Sequence, residues 1–226
     1  MYVLRSKVKL TDASADTALI GVTGPNAETI ARALGLPAAS GDMRQCLADG
    51  MRGIRLNPTT HVLAVPADRA GAAFERALAA GGSRAGTDAW QLAMIRAGLP
   101  LITAATQEEF VAQMLNYELI GGVNFKKGCY PGQEIVARTQ YLGKLKKRMY
   151  RVRIDAEQAP AAGTDLYTPA FGEQSAGKLV NVAASPDGGY EALAVMQISC
   201  ADTGEIHLGS PEGAPLVVLG LPYAVE

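Results

Sequence analysis

The run Lys126-Lys127-Gly128-Cys129-Tyr130-Pro131-Gly132-Gln133-Glu134-Ile135-Val136-Ala137-Arg138 gathers the residue types best suited to chemistry in this chain. Gly128 and Gly132 permit a tight backbone, Pro131 suits a turn or a helix start, and residues 133–140 can continue as helix. Cys129 then lies just before a helix N-terminus and beside two lysines. Both surroundings favour the thiolate over the thiol, the form that attacks disulfides, carries sulfur or binds metal. Cys46 and Cys200, the other two cysteines, have no such neighbours and read as packed hydrophobes. The competing reading of Cys129 is the same one, a small apolar side chain at a turn.

The run opens a strongly basic window. Residues 126–153 hold Lys126, Lys127, Arg138, Lys144, Lys146, Lys147, Arg148, Arg151 and Arg153 against the single acid Glu134, a net of +8 in a chain whose formal charge is −1. Such asymmetry suits an anionic partner: a glutamate-tailed cofactor, a phosphate or RNA. A solvated charged face beside a domain junction explains it equally well. Net charge does not choose among anions.

Other chemistries find little support. Three cysteines without a Cys-x-x-Cys pair, and histidines only at 61 and 207, do not form a disulfide framework, a zinc ribbon or a four-cysteine cluster site. No metal site is expected. A dyad of Cys129 with His61 or His207 stays open on sequence grounds, as the weaker alternative. No nucleophile elbow, phosphate-binding Lys-Ser/Thr loop or dinucleotide fingerprint occurs; Gly81–Gly86 lacks the Lys-Ser/Thr that a phosphate loop needs. Tyr130, Tyr141 and Tyr150 make no recognised RNA-stacking motif.

The elements that must position this segment follow from periodicity. Residues 1–10 alternate, with Tyr2, Leu4, Val8 and Leu10 opposite Arg5, Lys7 and Lys9, as in a half-buried strand. Strands are expected at 18–22, 52–56 and 61–65. Helices are expected at 26–34, with Ala27, Ile30 and Leu34 inward, and from Asp68 to about 80. Another begins at Thr87 or Asp88 and carries Trp90, Ala93, Met94 and Ala97 on its core face. One or two short helices are expected over 107–120. The order predicts an α+β fold: an antiparallel-rich sheet layer with helices on one face. Beyond 150 the character changes to short apolar runs separated by Pro/Gly turns, with a hairpin at 186–189. That pattern fits a small antiparallel barrel or sandwich. The expected division is 1–147 and 148–226.

With 226 residues, 48% hydrophobic and 19% charged, the chain can bury a substantial core. No apolar run approaches the ~18 residues of a membrane helix. The N-terminus lacks the basic and apolar regions of a secretory signal, so a cytoplasmic location is expected.

The octapeptide Lys127-Gly128-Cys129-Tyr130-Pro131-Gly132-Gln133-Glu134 resembles the signature of the YgfZ family, folate-binding proteins related to the glycine-cleavage aminomethyltransferase. The stretch Ile95-Arg96-Ala97-Gly98-Leu99-Pro100 is similar to the family's Arg-x-Gly-x-Pro segment. Residues 110–125, with Gln113, Asn116 and Gly121-Gly122, fit the region between, and the tail from 150 resembles the family's C-terminal β-barrel. The resemblance covers nearly the whole chain. It implies an aminomethyltransferase-like folate-binding domain followed by that barrel. It further implies tetrahydrofolate as cofactor and support of iron–sulfur assembly or repair in client proteins, tRNA-methylthiolating enzymes among them. Cys129 would be the functional residue, and Arg96, Lys127, Tyr130, Gln133, Glu134 and Arg138 its cofactor-binding company.

Two departures bear on that expectation. Family members carry a further segment before the first strand, which in the transferases contributes to the folate pocket and supplies a catalytic aspartate. Glu118 stands where an aspartate is expected. These points favour an accessory role without fast turnover of its own over a tetrahydrofolate-dependent one-carbon transferase. An RNA-binding module acting through Lys144–Arg153 is the third alternative.

Overall fold

The computed structural model describes residues 7, 9–128, 132–203 and 205–225. They form two compact units, Met1–Ala85 and Gly86–Glu226. The units meet well before the expected division at 147/148, because residues 86–146 pack together with the strands that follow them.

In the first unit, β1 (Thr17–Thr23), β2 (Arg44–Ala48), β3 (Met51–Asn57) and β4 (Thr60–Pro66) form one antiparallel sheet in the order β1-β4-β3-β2. The register aligns Ile20, Leu63, Gly53 and Cys46 across the four strands. Alternation then sends this row and its neighbours to one face. That face packs against α1 (Ala27–Ala33) and α2 (Ala70–Ala79) through Ile30, Leu34, Ala73 and Ala77. The expected sheet layer with helices on one face is present. Residues 67–69 form a 3-10 turn before α2, so Asp68 precedes the helix rather than capping it. Of the strand expected over 1–10, Lys7, Lys9 and Leu10 are described and carry no strand; the rest lies outside the described residues.

In the second unit, β5 (Lys147–Ile154), β6 (Asp165–Tyr167), β7 (Gly177–Ala184), β8 (Tyr190–Gln197), β9 (Ile206–Leu208) and β10 (Pro215–Leu219) close into an antiparallel barrel, ordered β10-β5-β8-β7-β6-β9. Closure removes the open edges a free sheet would expose. The short helix α5 (Ile198–Thr203) follows β8 and buries Cys200 in the barrel core. The turn at 185–189 joins β7 to β8, where the hairpin is expected.

On the outside of the barrel lies α3 (Thr87–Arg96), its Ile95 buried against Val180, Leu193 and Val195. Leu92 packs against the same surface and, like Trp90, Ala93 and Met94, is half-buried. The region 107–120 is mostly turns around one 3-10 helix, Ala112–Leu115, ended by Asn116 in the left-handed conformation at φ 59°. The helix after the cysteine segment, α4, spans Gln133–Tyr141.

Candidate functional site

Gly132 begins the site on the described side of Cys129. Its φ of +84° is the left-handed region, which turns the chain sharply into α4. The first-turn amides of α4 have no partner within the helix, a polarity that favours negative charge at this end. On the other side Lys126, Lys127 and Gly128 are exposed, with the Lys126 amide donating to Asn124 Oδ1 at 2.8 Å. The Phe125 and Tyr141 rings meet edge-on with centroids 6.1 Å apart. Phe125 thus packs at the C-terminal end of α4. Cys129 and Tyr130 themselves lie outside the described residues.

Beneath α4 is a buried polar cluster that sequence reasoning missed. Gln113 is 2% exposed and its Nε2 donates to the Val136 carbonyl at 2.6 Å. Asn116, fully buried, donates from Nδ2 to the Met149 carbonyl at 2.9 Å. Arg148 on β5 donates to the Gln113 carbonyl at 3.3 Å and to Asn116 Oδ1 at 3.4 Å, and pairs with Glu118. The Arg148 and Glu118 side chains are 13% and 10% exposed. Tyr223 donates to the Gly98 carbonyl at 2.8 Å. Burial pushes the Tyr223 phenol above its ordinary pKa, and does the same to Tyr117. Gly98, at φ +66°, leaves room for Tyr223: a Cβ there would lie 2.6 Å from the ring. Gln113 Oε1, Glu118 Oε2 and Arg148 Nε have no hydrogen-bond partner among the described residues.

Of the described residues singled out by sequence, Arg96 ends α3, whereas Gln133, Glu134 and Arg138 belong to α4. Arg96, at the end of α3, clamps Glu191 of β8, with Nη2 2.5 Å and Nε 3.0 Å from Oε1. That carboxylate, its side chain 8% exposed, raises the guanidinium pKa further. Arg96 therefore ties helix to barrel, a structural role that the folate assignment did not foresee. Glu134 and Arg138 form a long pair at 3.9 Å on the solvent side of α4, and Gln133 is half-buried at its start. The basic window also divides. Arg148 is committed to Glu118, and Arg151 approaches Glu191 at 4.0 Å. Lys126, Lys144, Lys146 and Arg153 remain on the surface.

Both histidines are engaged elsewhere. His61 is buried with Nε2 3.2 Å from Glu28 Oε2, and His207 Nδ1 lies 2.9 Å from the Gly213 carbonyl. Cys200 is buried, which pushes its thiol pKa up, and the half-buried Cys46 donates to the Gly53 carbonyl at 3.6 Å. Among the described residues no cluster of His, Cys, Asp and Glu is placed to hold a metal ion, and no helix is long and apolar enough to cross a membrane.

Folate needs buried acceptors for the N–H groups of its pterin and cations for its glutamate carboxylates. In donor and acceptor type the chain fits: Glu118 Oε2 and Gln113 Oε1 are buried acceptors without a partner, and Lys126 and Arg138 are exposed cations.

A sheet layer with helices, followed by a closed six-stranded barrel, defines an aminomethyltransferase-like fold. The glycine cleavage system aminomethyltransferase T from Bartonella henselae is similar over 91% of this chain at a TM-score of 0.67, with 18% identity. This chain spans 59% of that protein's length. No known family model matches the chain. Curated relatives do: a tRNA-modifying protein YgfZ of Yersinia pestis (strain Pestoides F) is 30% identical over 228 residues, 99% of this chain and 68% of the relative. Another, from Sodalis glossinidius (strain morsitans), is 34% identical over 138 residues, 60% of this chain and 42% of the relative. The chain belongs to the YgfZ family of tRNA-modifying proteins.

Proposed function

We propose that this chain is a cytoplasmic, folate-binding accessory protein that supports assembly or repair of iron–sulfur clusters in client enzymes, tRNA-modifying ones included, through a reactive Cys129. The observation that carries the reading is electrostatic: exposed Lys126 and Lys127 precede the cysteine, and the N-terminus of α4 follows it three residues after. Cationic side chains on one flank and unsatisfied helix amides on the other both stabilise a thiolate. An anionic, accessible sulfur is the form that ligates iron transiently or carries sulfur.

Bound tetrahydrofolate would supply a reduced pterin and a one-carbon carrier. Glu118 and Gln113 would accept from its pterin, while Lys126 and Arg138 would meet its glutamate tail. Lys127, Tyr130, Gln133 and Glu134 enter through the family signature, as does Arg96, whose first duty is to Glu191. Lys144, Lys146 and Arg153 supply a cationic surface on which an RNA partner could rest; such binding would weaken steeply with salt.

A tetrahydrofolate-dependent one-carbon transferase is the second reading, favoured by the fold likeness alone. Turnover on incubation with tetrahydrofolate and an aminomethyl or methylamine donor would promote it. The accessory reading is tested by Cys129→Ala in cells lacking the native gene, with tRNA methylthiolation as readout. Loss of the modification is expected; full modification would remove the cysteine from the mechanism.

A further inference from the structure

The helix α4 has one side held and one side bare. At 100° per residue, Gln133, Val136, Ala137, Thr139 and Gln140 share one side; all but the exposed Gln140 are half-buried, and Val136 is the residue whose carbonyl Gln113 grips. The opposite arc holds Tyr141, Glu134, Arg138, Leu142 and Ile135 in angular sequence, and all five are exposed. Ile135 is 62% exposed, Tyr141 69% and Leu142 84%. Ile135 and Leu142, the residue that caps the C-terminal end of α4, are seven residues apart in the chain, with Arg138 between them. Lys144 and Lys146 extend the charge beyond the C-terminal end, and Lys126 adds to it beside Phe125. The Glu134–Arg138 pair, at 3.9 Å and in solvent, restrains Arg138 little.

We propose that this face of α4 is a docking surface for a protein partner whose own surface is apolar at its centre and acidic around it. An apolar centre within a charged rim is the anatomy of a protein interface, with arginine and tyrosine enriched there. RNA is the less suitable occupant. Phosphate contacts draw on cations alone, whereas this face also exposes two aliphatics, Leu142 at 84% and Ile135 at 62%, that gain nothing from a phosphate backbone. Charge complementarity sets the acidic rim: Arg138 lies on the arc, and exposed Lys126, Lys144 and Lys146 lie in the chain adjoining it, with Glu134 the one acid on the arc. The inference deepens the proposed function by identifying the partner with the iron–sulfur client, because the docking helix directly follows the Cys129 segment. It rests on that reading.

The test uses the full chain carrying Ile135→Ser/Leu142→Ser and, separately, Ile135→Lys/Leu142→Lys. Three quantities are measured: tRNA methylthiolation in cells lacking the native gene, affinity for the purified cluster-bearing methylthiolating enzyme, and affinity for purified unfractionated tRNA. Both variants are expected to lower modification and enzyme affinity at least five-fold. Thermal unfolding and the alkylation rate of Cys129 should stay at native values. Native modification in either variant, or no measurable enzyme binding by the unmodified chain, overturns the proposal. A gain in tRNA affinity by the lysine pair with unchanged enzyme binding also overturns it and assigns the face to RNA. Failure of the accessory reading is seen separately, in Cys129→Ala, which leaves this face intact.

Discussion

The Gln113 side-chain amide reaches the Val136 carbonyl at 2.6 Å, joining the turn-rich segment 112–118 to the helix that follows Cys129. Val136 is the fourth residue of α4, so the contact falls near the N-terminal end of the helix. The same segment is fastened to β5 by Asn116 and Arg148. Position passes from barrel to turn to helix through hydrogen bonds, all made by residues with little exposure.

Gln113→Leu removes the bond while keeping most of the volume. A loss of about 1 kcal/mol in unfolding free energy is expected, the ordinary net worth of such a bond. Amide exchange should accelerate over 133–141 more than over the barrel strands. Equal acceleration everywhere would show that Gln113 serves general stability rather than the placement of α4.

Arg148→Met leaves Glu118 buried without its cation and should destabilise the second unit by about 3–5 kcal/mol. The double variant Arg148→Met/Glu118→Met should lose less than Arg148→Met alone, because it removes the orphaned charge as well. Denaturant titrations of the three proteins check the order. A double variant less stable than Arg148→Met would mean that the pair is not the source of the loss.

Alkali should unfold the protein through its buried phenols. Burial raises the pKa of Tyr223 and Tyr117 above the ordinary 10.0. Below pH 10 both phenols are neutral whether the chain is folded or unfolded, and the raised folded values have no effect there. As pH climbs past 10 the unfolded chain releases these protons first, so stability falls until the folded pKa values are passed. Unfolding free energy measured between pH 9 and 12, beside phenolate absorbance, should fall less steeply in Tyr223→Phe. An unchanged slope would contradict the assignment for Tyr223.

The three cysteines should separate under alkylation. Cys200 is 2% exposed and burial raises its pKa, so it should resist iodoacetamide in the folded chain and react only on unfolding. Cys46, half-buried in β2, should react slowly. Peptide mapping after a timed pulse reads each site, and early labelling of Cys200 would contradict its place in the barrel core.

Much of the fold was legible because its signals are local. Ala27, Ile30 and Leu34 mark the inner face of α1 at helical spacing, and the Pro186–Gly189 turn marks the β7–β8 hairpin. Short or edge elements were not legible. Arg44–Ala48 is an edge strand paired on one side, with only two positions partly buried, and β6 and β9 are three residues each. The polar cluster was hidden for a different reason. Arg148 finds Glu118 thirty positions away along the chain, and Arg96 finds Glu191 ninety-five away. Read locally, both arginines look like surface cations or ligand anchors, and only the closed barrel shows them committed. Gln113 and Asn116 gave one faint sign, two amides in a stretch otherwise rich in apolar residues.

The central claim is that Cys129 is kept anionic and reachable by the lysines before it and the helix after it. The rate of its alkylation by iodoacetamide against pH, in the full chain with Cys46 and Cys200 replaced by serine and alanine, measures that state. The account predicts an apparent pKa clearly below the ~8.5 of an ordinary thiol, moving upward in Lys126→Gln/Lys127→Gln. A midpoint at or above that value, or a side chain that reacts only after denaturation, would contradict it.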